Sequence, residues 1–269
     1  MSGYDEIADG YERHWGPVIR PAAEAVLDLL QGLTQPDARL LDVGTGTGAL
    51  AIAALERWPQ LRVTGLDPSQ AMLDRARANA DARLGARVDG RLDLVRGDAA
   101  ELPTDAASFD AVVSSFVLQL VDRRPTAMRE ARRVLRPGGT FAWVAWLAGD
   151  APFRADQVAN EVLDDYGFDP PEPGARGGEP PSAAVAAAAT RRAGFSDVRA
   201  HESELVHAWT PEGYLAFFTE FDEASLFEDL GRGERRRIVR DIGTRLRRLS
   251  PDELTMRLPT VYVRGRVRG

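Results

Sequence analysis

The segment LLDVGTGTG, residues 40–48, constrains the fold more than any other part of the chain. Leu40, Leu41 and Val43 are typical of a buried parallel strand, and the apolar residues 49–55 are typical of a helix that follows it. Three glycines at two-residue steps separate the two, and glycine permits positive φ angles and close approach of a ligand to the backbone. A strand, a glycine turn and a helix in this order predict the ligand-binding edge of a doubly wound α/β sheet.

The glycine spacing bears on the class of ligand. A dinucleotide-binding turn has the pattern G-x-G-x-x-G and holds a diphosphate at the helix N-terminus. Here Gly44, Gly46 and Gly48 give G-x-G-x-G, and Asp42 lies two residues before the first glycine. A carboxylate at that point repels a diphosphate but suits a cationic ligand. The alternative is a plain glycine turn with no ligand.

A second predicted strand, residues 62–67, ends in Asp67, where an acid that binds ribose hydroxyls belongs in a doubly wound fold. Ser69 is a plausible N-cap of the next helix. Further strands are predicted at residues 92–96, 109–115, 140–147, 197–206 and 260–267. Strands that alternate with helices favour a parallel sheet with helices on both faces.

The motifs together resemble class I S-adenosylmethionine (SAM)-dependent methyltransferases, in particular the branch of ubiquinone- and menaquinone-biosynthesis and other small-molecule enzymes. The matching segments are DVGTGTG (42–48), GLDPSQAML (65–73), GDAAELP (97–103), FDAVVSSFVLQLV (109–121) and REARRVLRPGGTF (129–141). The resemblance implies an α/β fold with a Rossmann-like, doubly wound sheet of seven strands, the last antiparallel. It also implies an N-terminal helical lid and a helical insertion after strand five.

The resemblance further implies SAM as cofactor, released as S-adenosylhomocysteine (SAH), with no metal. Asp42 and the glycines would face the methionine part of the cofactor, Asp67 would hold the ribose, and Asp98 with the Ala99 amide would read the adenine edge. The complete set of expected cofactor residues is Tyr11, Asp42, Gly44, Thr45, Gly46, Gly48, Asp67, Pro68, Met72, Asp98, Ala99, Ser114 and Ser115.

We expect a single domain over residues 1–269. Its parts are N-terminal helices (1–35), a SAM-binding core (36–148), a lid insertion (149–181) and a C-terminal part (182–269) that completes the sheet and adds substrate-side helices. The insertion ends in PPEPGARGGEPP (170–181), whose prolines and glycines are typical of a loop without regular structure. In the resembling family such an insertion covers the substrate pocket, and the alternative is a tolerated surface insertion.

The residues expected to bind the methyl acceptor include few groups with obvious catalytic chemistry. There is no cysteine and no lysine, which excludes a thiol nucleophile and a Schiff base. His14 is the best candidate for a general base, because it lies in the expected lid, and the alternative is a surface histidine. Expected substrate residues are Trp15, Gln119, Tyr214 and Phe218, and the alternative for the three aromatic residues is a place in the core.

Charge and hydropathy limit the partners. The net charge of −7 argues against nonspecific nucleic-acid binding. Residues 232–248 carry eight arginines against two acids, which is typical of a solvated helix face or of a surface for an anionic substrate or partner. No membrane-spanning segment or secretory signal is evident, so we expect a cytoplasmic protein, a monomer or a homodimer.

Three functions therefore stay open. The first is methyl transfer to the O, N or C atom of a small molecule, which the acidic chain and aromatic flanks favour. The second is methylation of RNA or protein, which only the arginine-rich helix supports. The third is SAM binding without methyl transfer, in a sensor or a non-methylating catalyst, because intact cofactor motifs indicate binding and not turnover.

Overall fold

A mixed seven-stranded sheet forms the centre of the computed structural model, which describes residues 9–30, 33, 35, 37–168 and 178–269. The strands are β1 (Arg39–Val43), β2 (Arg62–Asp67), β3 (Leu92–Arg96), β4 (Phe109–Ser115), β5 (Leu135–Trp146), β6 (Ser196–Ala208) and β7 (Thr255–Arg266). Their order is β3-β2-β1-β4-β5-β7-β6. The pairings among β1 to β5 are parallel, and β7 runs antiparallel to both of its neighbours. The predicted fold is confirmed.

Helices cover both faces of the sheet and build a separate layer at one end. They are α1 (Gly16–Glu24), α2 (Ala49–Arg57), α3 (Gln70–Leu84), α4 (Arg124–Val134), α5 (Arg154–Asp165), α6 (Ala183–Arg192), α7 (Pro211–Phe217), α8 (Ala224–Asp229) and α9 (Arg232–Leu246). Apolar residues of α1, α2 and α3 share one core with the sheet, and those of α4 and α6 share a second. The central strands β1 and β4 are almost continuously buried, because helices cover both of their faces.

Ser69, Ser182 and Thr210 each precede a predicted helix in the sequence, and all three helix starts are confirmed by their caps. The hydroxyl oxygen of Ser69 accepts from the Met72 amide at 3.1 Å. Ser182 Oγ accepts from the Val185 amide at 3.3 Å. Thr210 caps α7 in the same way, with Pro211 in the first turn. Each cap satisfies an amide that has no partner within its own helix.

A third core lies inside a group of four helices, α5, α7, α8 and α9, which we call the cap. Phe218, Phe227, Ile238 and Ile242 are almost completely buried in it. The sequence predicts an apolar stripe of Ile238, Ile242, Leu246 and Leu249 on the arginine-rich helix. The first three are buried as predicted, whereas α9 ends before Leu249. The sequence also predicts a helix over residues 151–168 after β5, and this helix is present as α5 but is shorter, at residues 154–165. Most of the proline-rich loop, at residues 169–177, lies outside the described residues.

Several predicted boundaries are wrong, among them the start of β7, which lies at Thr255 and not at residue 260. The sequence also predicts a helix that begins at Pro21, but this helix begins at Gly16, so the proline of its first turn, where a missing amide costs least, is Pro17. The sequence RPGG at residues 136–139 predicts a turn before the fifth strand, but these residues are part of β5, which starts at Leu135. The register shifts between Phe109 and Ala111 on the partner strand, and Gly138 has a φ of +79°, so these residues form a bulge inside the sheet.

Candidate active site

The loop after β1 lies between the end of β2 and the turn that follows β4. The amides of Gly44 and Thr45 both donate to the carbonyl oxygen of Leu66, at 2.8 and 2.9 Å. Gly44 has a φ of +76°, and a Cβ placed on it would lie 2.3 Å from Cγ2 of Val117. Glycine is therefore required at position 44 for two reasons: the positive φ angle and the close contact with Val117.

The other two glycines of the motif have different surroundings. Gly46 has a φ of +54°, and a Cβ there would meet no atom within 4 Å, so one side of its backbone is open to a ligand. Gly48 has a φ of +85°, and its added Cβ would lie 3.0 Å from Cβ of Ala76. Gly48 thus lets α2 pack closely against α3, and Gly46 faces the candidate ligand space.

Asp67 closes the loop against the end of β2. One carboxylate oxygen accepts from the Gly46 amide at 2.9 Å, and the other accepts from the Ser69 amide at 2.9 Å. Only 7% of the residue is exposed. Asp67 thus supports the glycine loop and lies where a ribose-binding acid is expected.

Asp42 is a buried carboxyl group beside this loop. Its Oδ2 accepts from the hydroxyl of Thr45 at 2.8 Å, and no cationic side chain in the described part of the chain forms an ion pair with it. Burial raises the pKa of Asp42 to about 7; the negative charge of Asp67 acts in the same direction, and the Thr45 hydrogen bond opposes it. A buried acid without a counter-ion fits the cationic methionine end of SAM.

The expected adenine end begins one strand further along. The Gly97 amide donates to the carbonyl oxygen of Asp67 at 3.1 Å, which brings the turn after β3 beside the expected ribose residue. Asp98 is exposed, accepts from the Ala100 amide at 2.7 Å and pairs with Arg123 at 3.1 Å. Ala99 is buried next to it. Of the two residues expected to bind adenine, Asp98 alone has a charged side chain, and that side chain is exposed to solvent.

Four further expected cofactor residues divide by what their side chains contact. Ser114 Oγ donates to the Val43 carbonyl at 3.0 Å and holds β4 against β1. Ser115 Oγ is buried without a hydrogen-bond partner in the described structure, so it offers a polar group at the strand end. Met72 is buried in the first turn of α3. The carbonyl oxygen of Pro68 accepts from Arg96 at 3.0 Å.

Beyond the cofactor loop, four rings form what we call the aromatic wall: Phe116, Trp146, Trp15 and Phe217. Phe116 follows β4 and stacks on Trp146, the last residue of β5, with ring centroids 4.0 Å apart. Trp15 lies 6.3 Å from Trp146 and 5.5 Å from Phe217. Phe116 has a φ of +56°, an uncommon angle for a bulky residue, and such angles cluster at functional sites. The wall joins the ends of β4 and β5 to the cap.

Sequence reasoning missed Phe116 and Trp146. A signal was present, because both residues come at the carboxyl end of a predicted strand, where ligands bind in open α/β sheets. Phe217 carried no such signal, since its contact with Trp15 joins segments that lie far apart in the chain.

The N-terminal segment spans from the cofactor side to the cap. Asp9 forms an ion pair with Arg75 of α3. Tyr11 contacts the Phe221 ring at 6.4 Å, and Nε2 of His14 lies 3.4 Å from Oε2 of Glu220. Tyr11, His14 and Trp15 thus lie in one turn. Trp15 reaches the end of β5, and the other two residues contact Phe221 and Glu220. Glu220 could not be found from the sequence.

The remaining expected substrate residues lie in two places. Gln119 is 7% exposed; its Nε2 donates to the Phe116 carbonyl at 3.0 Å, while its Oε1 has no partner among the described residues. Tyr214 and Phe218 are 2% and 1% exposed in the interior of the cap. Tyr214 donates its hydroxyl hydrogen to Asp156 at 3.0 Å. The structure brings Gln119 to the strand ends but packs the other two away from them.

A cavity of about 540 Å³ lies elsewhere, between α4 and α6, with Met128 and Trp143 in its lining. None of the expected cofactor residues lines it. Within the described residues, no three acidic or histidine side chains are grouped as a metal site would require. None of the described helices is long and apolar enough to cross a membrane.

Sequence comparisons agree with this arrangement of motifs. Residues 40–139 match a family model described as a methyltransferase domain. The ubiquinone/menaquinone biosynthesis C-methyltransferase UbiE of Methylobacterium nodulans is 38% identical over 165 residues, which are 61% of this chain and 59% of that protein. A malonyl-[acyl-carrier protein] O-methyltransferase of Geobacter sulfurreducens is 39% identical over 140 residues, 52% of this chain and 49% of that protein. The chain thus matches less than two thirds of the length of either relative.

Solved structures share the fold over nearly the whole chain. The YcgJ protein of Bacillus subtilis has a TM-score of 0.60 at 18% identity, covering 93% of this chain and 99% of that one. A Haemonchus contortus phosphoethanolamine N-methyltransferase, solved with its phosphomonomethylethanolamine and SAH, has a TM-score of 0.57 at 18% identity, covering 98% and 58%. The [4+2]-cyclase SpnF has a TM-score of 0.58 at 20% identity, covering 95% and 84%.

Proposed function

We propose that this chain, whose residues 40–139 belong to the class I SAM-dependent methyltransferase family, transfers a methyl group from SAM to a small-molecule acceptor and releases SAH. One observation carries the proposal. The carboxyl group of Asp42, buried and without an ion pair in the described structure, lies at the same strand ends as the aromatic wall, which supports adjoining sites for a cationic cofactor and an apolar acceptor.

We assign the cofactor contacts as follows. Asp42 takes the cationic methionine end, with the backbone of Gly46 beside it. The buried carboxylate of Asp67 at the end of β2 accepts from the ribose hydroxyls. Asp98 and the Ala99 amide bind the adenine edge. These roles follow the family resemblance, and the burial of Asp42 and Asp67 and the open side of Gly46 support them.

When bound, SAM supplies a methyl group on a positively charged sulfur, which is transferred by in-line displacement. The task of the protein is to hold the acceptor atom in line, and correct placement of two reactants can lower a barrier by about 7–11 kcal/mol. The aromatic wall packs against a flat apolar acceptor and excludes water. Ser115 Oγ and Gln119 Oε1, both buried and without partners in the described structure, supply hydrogen bonds that orient it. His14 accepts the proton of an O–H or N–H acceptor.

The relatives support the small-molecule class without specifying the atom. One is named as a C-methyltransferase of quinone biosynthesis and another as an O-methyltransferase of a malonyl group on a carrier protein. The acceptor of this chain is therefore proposed as a class, O, N or C.

The test uses methyl-labelled SAM, the purified protein and a cell extract separated into small-molecule, RNA and protein fractions. Label in the organic-soluble fraction is the expected result, and mass spectrometry then identifies the acceptor. Label in RNA or protein would instead overturn the small-molecule proposal and direct attention to the arginines of α9. Tight SAM binding with no label in any fraction would favour a sensor or a non-methylating catalyst.

A further inference from the structure

Two π-helical turns pack against each other at the junction of the N-terminal segment and the cap. One is Tyr11–Trp15 and the other is Phe218–Asp222. The packing is tight, since a Cβ added to Gly10 would lie 3.1 Å from the Phe221 ring. Single π-helical turns inside helices occur frequently at functional sites, because they re-aim side chains that a regular helix would direct elsewhere.

The polar contact between these turns joins His14 to Glu220. The imidazole side chain is 10% exposed, and its Nε2 lies 3.4 Å from Oε2 of Glu220. Arg13 lies 3.8 Å from the same carboxylate oxygen, but its side chain is 73% exposed. Glu12, the other acid of this turn, lies 3.9 Å from Arg20. The carboxylate that faces the histidine ring is therefore that of Glu220.

The contact adjoins the aromatic wall along the chain, one residue before Trp15. Trp15, the neighbour of His14 in the chain, belongs to the aromatic wall through Trp146. That wall ends at Phe116, the residue after Ser115 of β4. A base in this turn would thus be close to the ends of β4 and β5, where the methyl acceptor is expected.

We propose that Glu220 is a positioning residue that prepares His14 to act as the base. Its carboxylate accepts the Nε2–H of the neutral imidazole and so fixes the tautomer in which Nδ1 carries the free lone pair. The distance of 3.4 Å is longer than an ordinary hydrogen bond, and such contacts often tighten when substrate binds. This inference rests on the proposed methyl transfer to an acceptor that bears an O–H or N–H group.

The step balances as follows. The proton of the acceptor passes to Nδ1 of His14, and the electron pair left on oxygen or nitrogen forms the new bond to the methyl carbon. The bond between that carbon and sulfur breaks, and its electron pair stays on sulfur, which becomes the neutral thioether of SAH. His14 then holds one positive charge, which the Glu220 carboxylate stabilises.

A first test needs no turnover. Nitrogen NMR of the protein with labelled histidine, at about pH 8.5, where an ordinary imidazole is neutral, distinguishes the two tautomers. The other two histidines are identified by comparison with His14→Gln. We expect His14 to be protonated at Nε2 in the native protein and to lose this preference in Glu220→Ala. The matched control is Glu228→Ala, an acid of α8 without an ion pair in the described structure. An unchanged tautomer in Glu220→Ala would overturn the inference.

A second test uses the acceptor found by labelling. We expect Glu220→Ala to lower kcat about 10-fold to 100-fold with KM for SAM unchanged, because only the proton-transfer step is affected. Glu220→Gln, which keeps the shape without the charge, should lie between it and the native protein. Adding Glu220→Ala to His14→Gln should lower kcat no further, and Glu228→Ala should leave it unchanged. If the native enzyme is active and Glu220→Ala leaves kcat unchanged, the inference is wrong and the proposed function stands. If the native protein transfers no methyl group, the proposed function is wrong, and the NMR result alone decides whether Glu220 positions His14.

Discussion

Val117 covers Gly44 so closely that no side chain fits between them. A Cβ on Gly44 would lie 2.3 and 2.6 Å from the two methyl carbons of Val117, closer than non-bonded carbons can approach. The contact joins the loop after β1, which faces the expected cofactor, to the turn after β4, which faces the expected acceptor. Movement of one segment is therefore limited by the other.

Gly44→Ala is expected to destabilise the fold by about 2–4 kcal/mol, because it adds both a steric clash and a strained backbone angle. Urea unfolding measures the change. Gly46→Ala is the matched control, since Gly46 also has a positive φ but meets no atom, and about 1 kcal/mol is expected there. Adding Val117→Ala to Gly44→Ala should restore part of the loss. Equal effects of the two glycine substitutions would show that the Val117 contact is unimportant.

The buried Asp42 is expected to make stability fall as pH rises. Its pKa in the folded protein is about 7, compared with 3.8 for the ordinary group, so between these values the folded state holds a proton that the unfolded state has lost. The free energy of unfolding should therefore decrease from about pH 4 to about pH 7, by an amount on the order of 4 kcal/mol, and this contribution should not change above pH 7.

Asp42→Asn removes this titration and should flatten the pH profile of unfolding without cofactor. Urea denaturation at a series of pH values gives both curves. The two curves should converge below about pH 4 and separate as pH rises, with Asp42→Asn the more stable at about pH 8. Parallel curves would show that the Asp42 carboxyl group titrates alike in the folded and unfolded states.

Asp67→Ala is expected to weaken SAH binding by about 2 kcal/mol or more, a factor of about 30, if the carboxylate holds the ribose. Titration calorimetry measures the affinity. Because Asp67 also supports the Gly46 and Ser69 amides, a 2′,3′-dideoxy analogue of SAH separates the two roles. The analogue should bind the native protein weakly, and Asp67→Ala should lower its affinity little further. Unchanged SAH affinity would refute the ribose assignment, and equal losses for both ligands would assign the effect to the loop.

Tyr214→Phe is expected to lower the free energy of unfolding by about 1–3 kcal/mol, because Asp156 loses a buried hydrogen-bond donor. Burial, reinforced by the charge of Asp156, raises the pKa of Tyr214 above its ordinary value, so the hydroxyl remains a donor. Tyr166→Phe is the matched control. The Tyr166 hydroxyl donates to Asp241, and this hydrogen bond is only half-buried, so a smaller loss of unfolding free energy is expected. Since Tyr214 lies inside the cap, KM for the acceptor should not change, and a large increase in KM would instead place its side chain in the acceptor site.

The parts of the fold that the sequence predicts are those decided by neighbouring residues. The apolar run before Gly44, the caps Ser69 and Thr210 and the last strand, β7, each depend on a few consecutive positions, and all are confirmed. The bulge at residues 136–139 was missed because Pro-Gly-Gly suits a turn as well as a bulge, and only the pairing of Leu135 with Phe109 decides between them.

The candidate site is less predictable because its walls come from distant segments. The aromatic residues of the cap have similar patterns, yet Tyr214 and Phe218 face the interior while Phe217 reaches Trp15. That choice depends on how α5 and α9 pack against α7. The contact of His14 with Glu220 has the same origin, since each turn contributes one partner and neither carries a motif. The assigned roles of the cofactor residues remain predictions that the substitutions above will test.

The position of β7 between β5 and β6 has a consequence for how the chain folds during synthesis. β6 pairs in the sheet only with β7, which comes about fifty residues later and after three helices of the cap. While the ribosome makes those helices, the open edges of β5 and β6 both present unpaired backbone groups. A nascent chain at this stage is expected to bind chaperones and to expose strands prone to aggregation, until translation of residues 255–266 closes the gap.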